Sequence, residues 1–162
     1  MPLPISIEHL ISHNIIESER IEFKRGWNPD SIYRTICAFA NDIENIGGGY
    51  ILIGVEEDNG VVSRPAIGLP RKQVDQIQKQ MIGFNNLIKP PYSPKLSLEQ
   101  LDGKTVIVLW VPGGSNRPYE VPEQITAKEK RYFYYIRQYS TTKKSKSART
   151  ARTHLIGKPS TV

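Results

Sequence analysis

Residues 131–137 set four aromatic rings, Tyr132, Phe133, Tyr134 and Tyr135, between Arg131 and Arg137. Read as a strand, the segment sends Arg131, Phe133, Tyr135 and Arg137 to one side and Tyr132, Tyr134 and Ile136 to the other. One side should be core. A side with two guanidinium groups and two rings has the means to stack bases and hold phosphates. The same pattern also describes a core strand with flanking charges. Residues 17–24 alternate differently: Ile21 and Phe23 fall on one face, Glu22 and Lys24 on the other. Alternating charge of this kind ordinarily marks a solvated sheet edge. His9 and His13 are four apart on a predicted helix, a spacing that lets two imidazoles share a metal, but no third ligand is evident and surface histidine is the simpler reading. Cys37 sits within an apolar helix face, where a thiol packs rather than reacts. No Ser/His/Asp arrangement can be argued.

These residues need elements to position them. Ser6 is a candidate N-cap for a short helix over residues 6–13, with Ile7, Leu10 and Ile11 as its stripe. Residues 21–24 read as a strand. After the Asn28-Pro29 turn, Ile32, Ile36, Phe39, Ala40 and Ile43 share one face of a helix over residues 30–46, with Gly47-Gly48-Gly49 as its closing cap. The triple glycine is no phosphate loop: it follows a helix, precedes a strand and lacks the Gly-Lys-Ser/Thr ending. Residues 50–55 are apolar on both faces, as in a doubly covered strand. Asp58-Asn59-Gly60 is a turn, with Val61-Val62 returning as a short hairpin strand. A helix is expected over residues 69–84, broken by Lys89-Pro90-Pro91. Strands over residues 95–101 and 105–111 meet at Asp102-Gly103. Residues 112–122 read as a Gly/Pro-rich loop, and the segment after Tyr139 as disordered or linker. No internal repeat is present. The fold class this predicts is α/β (α+β), a mixed β-sheet with helices packed on it.

The chain has 162 residues, of which 38% are hydrophobic and 23% charged, enough for one domain with a core. The net charge of +6 is unevenly placed. Residues 128–162 hold ten Lys/Arg and one acidic residue, net +9, leaving 12 basic and 15 acidic residues in 1–127, net −3. A basic end on an acidic body suits a polyanion, nucleic acid before a membrane surface, although it also suits a solubilising tail. A single cysteine excludes an intrachain disulfide and makes a cytoplasmic setting the default. No apolar run reaches membrane-spanning length, and the first residues lack the pattern of a signal peptide.

In order, Glu17-Ser18 through Glu22-Phe23-Lys24, then Ile36-Cys37-Ala38-Phe39-Ala40-Asn41, then Gly48-Gly49-Tyr50-Ile51-Leu52-Ile53-Gly54-Val55-Glu56-Glu57-Asp58-Asn59-Gly60, then Tyr134-Tyr135-Ile136-Arg137. This ordered set resembles the Schlafen AlbA-type domain of bacterial transcriptional regulators and animal Schlafen proteins, over residues 8–142. The resemblance implies a mixed α/β fold and a nucleic-acid-binding role. Bacterial members often carry a following ATPase-like or winged-helix segment that is absent here, so the chain reads as a fragment of a longer regulator. Residues 41–46 form a longer link into the glycines than is usual, and nothing after Thr142 is familiar. In the animal members, acidic residues of this core form a metal-dependent RNA-cleaving site. The positions that match are Glu17, Glu22 and Asp58, with Glu56 and Glu57 as neighbouring alternatives to Asp58, itself also readable as a plain turn residue. Glu17 and Glu22 converge only if Glu17 lies at a bend before the strand that carries Glu22. Such a cluster would take magnesium or manganese, with Lys24 holding the scissile phosphate.

The expected organisation is a nucleic-acid-binding domain over residues 1–142 and a basic, disordered tail or linker over 143–162. The leading function is DNA or RNA binding in a transcriptional regulator, with Lys24, Arg25, Arg131, Arg137, Lys143 and Lys144 on phosphates and Phe133 or Tyr135 stacked on a base. The alternatives are a divalent-metal-dependent endoribonuclease and a dimerisation module forming a homodimer. No membrane partner is expected.

Overall fold

Ser6 accepts a hydrogen bond from the His9 amide (3.1 Å) and so caps helix α1 (Ile7–His13), whose Ile7, Leu10 and Ile11 are buried. The computed structural model describes residues 6–13 and 20–145. Strand β1 (Ile21–Lys24) buries Ile21 and Phe23 and leaves Glu22 and Lys24 at its partly exposed face, as period two requires. Helix α2 (Pro29–Asn41) has Pro at its first position and Asn28 as N-cap, accepting from Ser31 N. It is the crossover that lets strand β2 (Gly49–Ile53) lie parallel to β1, Ile21 opposite Tyr50.

A hairpin, β3 (Glu57–Asp58) and β4 (Val61–Val62), follows, then helix α3 (Arg71–Asn85). Strands β5 (Lys95–Leu101) and β6 (Lys104–Val111) turn at Asp102-Gly103. The main sheet has the order β1-β2-β6-β5, antiparallel except for the first pair. Ile51, Ile53, Ile107, Leu109 and Val111 pack under α2 and α3, while Tyr50, Leu52, Val106 and Val108 pack with the apolar side of α1. Both faces are covered, which is why β2 is apolar throughout. The architecture is α+β: a mixed sheet with helices packed on it. Among the described residues, no helix is long and apolar enough to cross a membrane.

Three expectations need correction. Helix α2 stops at Asn41 rather than at residue 46, and its cap is Asp42 in the left-handed region (φ 43°). The Asp42 carboxylate then accepts from Ile46 N and Gly47 N (3.0 and 3.1 Å), which shapes the link. The glycines serve the strand instead. A Cβ on Gly48 (φ +78°) would stand 1.9 Å from the Val111 carbonyl oxygen. The Gly/Pro-rich loop ends in a short strand, β7 (Glu120–Pro122), held by the buried Val121. The segment after Tyr139 is ordered as far as it is described. Strand β8 (Tyr132–Gln138) turns back into β9 (Thr141–Ser145), forming the sheet β7-β8-β9, and the expected boundary at 142 falls inside β9. Composition misled there because an edge strand of Thr and Lys has the same polarity as a disordered tail.

Candidate nucleic-acid interface

The main sheet ends at β1, and the β8–β9 hairpin packs against the same helix, α2. Between them lies a cleft of about 270 Å³ lined by Glu22, Lys24, Ser31, Arg34, Thr35, Tyr135 and the turn residues Ser140, Thr141 and Thr142. Its floor is a polar joint. Arg137 reaches from β8 and donates to Glu22 Oε1 (2.6 Å), the Ile21 carbonyl (3.1 Å) and Thr142 Oγ1 (3.0 Å). Its guanidinium lies over the Phe39 ring at 5.0 Å. The second oxygen of Glu22 faces Lys24 Nζ at 3.4 Å. Thr142 also hydrogen-bonds Thr35 Oγ1 (2.9 Å), tying the hairpin to α2.

Beside this joint, three cations gather round one carboxylate. Lys144 Nζ stands 2.8 Å from Glu123 Oε2, and Arg34 donates to the Glu123 carbonyl. The Lys144 hydrogen bond, with the charges of Lys144, Arg131 and Arg34, holds the Glu123 carboxyl below its ordinary value. Phe133 is half-buried, with Lys144 Nζ 3.9 Å and Arg131 5.6 Å from its ring centre. Lys24, Arg34, Arg131 and Lys144 thus outnumber Glu22 and Glu123 along one flank of the molecule.

The residues singled out by sequence divide into those this flank collects and those it does not. Lys24, Arg131, Phe133 and Lys144 belong to it. Tyr135 lines the cleft but is only 3% exposed, and burial pushes its phenol up to about 12. A ring packed in the core cannot stack on a base. Arg137 is 5% exposed and engaged with Glu22, so it is a structural cation rather than a phosphate contact. Alternation separated the two faces of β8 correctly but could not say that the arginine-bearing face turns toward α2. Lys143 and Lys144 part company: Lys143 lies opposite Ile136 and Lys144 opposite Tyr135, so they leave β9 on opposite faces. Arg25, 76% exposed, pairs with Glu56 (3.1 Å) beside Val55 and Ser63 rather than at the cleft. Arg34 escaped the sequence reading; its one signal was a cation on the polar face of an otherwise apolar helix.

Of the acidic positions, Glu17 lies outside the described residues, as do Lys146, Arg149, Arg152 and Lys158 of the basic end. Glu22 gives both carboxylate oxygens to cations. Asp58 is exposed on the β3–β4 hairpin and does not line the cleft. Among the described residues no group of three or more His, Cys, Asp or Glu is placed to hold a metal ion, and His9 is exposed on α1. Cys37 is buried, its thiol pushed up to about 12 by burial, consistent with a packing role.

A protein-family model described as Schlafen, AlbA_2 matches residues 17–146. The solution structure of the N-terminal domain of a RecG-related protein from Nitrosomonas europaea is similar at a TM-score of 0.52 and 28% identity, over 76% of this chain and 88% of that one. The crystal structure of the DIP2311 protein from Corynebacterium diphtheriae is similar at a TM-score of 0.52 and 18% identity, over 78% of this chain. That likeness is one of fold, and the chain spans 22% of the DIP2311 length. No curated protein matches the chain.

Proposed function

The chain belongs to the Schlafen AlbA_2 family, and from that premise we propose that it is a nucleic-acid-binding domain of a cytoplasmic transcriptional regulator. The bound strand runs along the flank formed by Lys24, Arg34, Arg131 and Lys144. The observation that carries this reading is the gathering of Arg34, Arg131 and Lys144 around Glu123, next to the partly exposed ring of Phe133. Cations clustered on one side of a fold neutralise phosphates and release their counterions. A carboxylate at the centre keeps the three cations in place without cancelling them. Phe133, rather than Tyr135, is the ring available to a base. The RecG-related relative is named for an ATP-dependent DNA helicase, which agrees with a role on nucleic acid.

The test is retardation of labelled tRNA and of duplex DNA by the full chain, with and without manganese. Retardation that weakens with salt, and leaves the nucleic acid uncut, is the expected result. Failure to retard either at low salt overturns the reading. Manganese-dependent cutting that Glu22→Gln abolishes would replace it with the endoribonuclease.

A further inference from the structure

Two residues that line the cleft carry a buried hydroxyl with no hydrogen-bond partner among the described residues: Ser31 Oγ and the phenol of Tyr135. Most other polar groups around them are engaged, Thr35 with Thr142, Glu22 with Arg137 and Lys24, and Arg34 with the Glu123 carbonyl. A buried hydroxyl without a partner destabilises the fold, and native structures hold few of them. Phenylalanine and alanine would fill the same space at no such cost. We propose that the cleft seats one phosphate group, which, resting on the nucleic-acid reading above, belongs to the bound strand.

The chemistry of the lining selects this ligand. Ser31 and Tyr135 can both donate, and Lys24 and Arg34 bring positive charge to the same space. Ser31 is in the first turn of α2, at the positive end of the helix dipole. Lys24 and Arg137 offset the carboxylate of Glu22, and Arg34 adds a further positive charge to the lining. A metal ion would be repelled by that charge. A phosphate offers acceptors in several directions, which lets it meet hydroxyls and cations approaching from α2, β1 and β8 together.

The experiment titrates the full chain with inorganic phosphate, a 5′-phosphorylated single-stranded oligonucleotide and its 5′-hydroxyl counterpart. Wild type is compared with Tyr135→Phe and Ser31→Ala. Both variants should melt at or above the wild-type temperature, because each loses only an unpartnered hydroxyl. Both should bind phosphate about tenfold or more weakly, the worth of one hydrogen bond to a charged group. Preference for the 5′-phosphorylated strand would place a terminal phosphate in the seat, and equal binding an internal one. Oligonucleotide binding by all three proteins alike, with no response to inorganic phosphate, would overturn the seat and leave the nucleic-acid reading standing. Tyr135-dependent phosphate binding without binding of any oligonucleotide would uphold the seat and overturn that reading.

Discussion

Arg137 Nη1 lies 2.6 Å from Glu22 Oε1 and joins β8 to β1 across 115 residues of sequence. The two strands belong to different sheets, so the pair is a joint between them. The same guanidinium reaches the Ile21 carbonyl and Thr142, at the root of the β8–β9 turn. An ion pair taken out of water gains only when hydrogen bonds satisfy its remaining atoms, and here several do. The joint also fixes the far wall of the cleft, since Thr142 is held from both Arg137 and Thr35.

Removing one partner from this joint should therefore cost far more than a surface ion pair. Arg137→Ala is expected to lower unfolding stability by about 3–5 kcal/mol, leaving Glu22 poorly compensated in a half-buried position. Arg137→Lys should recover little, because a point charge cannot serve Glu22, Ile21 and Thr142 together. Glu22→Gln should lose less, since an amide oxygen still accepts from Arg137. Urea denaturation checks this order. An Arg137→Ala protein within about 1 kcal/mol of wild type, the range of an exposed pair, would show that the joint carries little.

Strand alternation separates two adjacent lysines into a test of the interface. Lys144 faces Glu123 and Phe133, whereas Lys143 leaves the other face of β9 and donates to Gln138. Arg131→Gln and Lys144→Gln should each weaken binding and make the log–log salt dependence shallower by about 0.7–0.9, the worth of one phosphate contact. Lys143→Gln should leave that slope unchanged. Equal effects of Lys143→Gln and Lys144→Gln would mean that the strand wraps the hairpin edge instead of following the flank.

The local chemistry of turns and the period of apolar residues made much of the fold legible. Asp102-Gly103 announces its hairpin, Val74, Ile77 and Met81 announce α3, and the all-apolar run of β2 announces a strand covered on both sides. What escaped depends on partners distant in sequence. The end of α2 is set by Asn41, whose side chain is held by Tyr119 and Tyr135. Strand β7 is too short to show a period. In the candidate site, alternation told which of Arg131, Phe133, Tyr135 and Arg137 share a face but not that the face is largely interior. Lys143 and Lys144 were grouped because a disordered segment has no faces. Arg34 gained its place only when Glu123 was folded against it, 89 residues along the chain.

Alkaline titration should reveal the buried acids. Burial raises the Cys37 thiol from 9.0 and the Tyr135 phenol from 10.0, each to about 12. Tyr33 and Tyr92 are raised by burial as well. In every case the folded chain holds its proton more tightly than the unfolded one. The stability these groups contribute is therefore complete below pH about 9 and is lost as pH rises through 9 to 12. Urea midpoints at intervals from pH 8 to pH 11, on the scale of the ordinary thiol and phenol values, follow the decline. Cys37→Ala with Tyr135→Phe should flatten it without removing it, since Tyr33 and Tyr92 remain. Parallel declines in the variant and wild type would deny these two groups a part in it.

Asn41 is the remaining test, because its amide clamps α2 to β8 and to the residue that leads into β7. It is fully buried, donates to the Tyr119 carbonyl (3.1 Å) and the Tyr135 carbonyl (2.8 Å), and accepts from Tyr119 N (2.6 Å). Tyr119 leads directly into β7, and Tyr135 is in the middle of β8. Asn41→Ala removes all three bonds and strands the Tyr119 amide in the interior, for an expected loss of roughly 3 kcal/mol. Asn41→Asp keeps an acceptor for Tyr119 N, yet sets a buried carboxylate oxygen against two carbonyl oxygens. It should therefore be at least as damaging as alanine, and its penalty should shrink as pH falls and the carboxyl protonates to become a donor. Thermal melts of the two variants between pH 4 and pH 8, a range spanning the ordinary carboxyl value, decide the matter. An Asp variant as stable as wild type at neutral pH would show that the amide donors of Asn41 do not hold β7 and β8 to the helix.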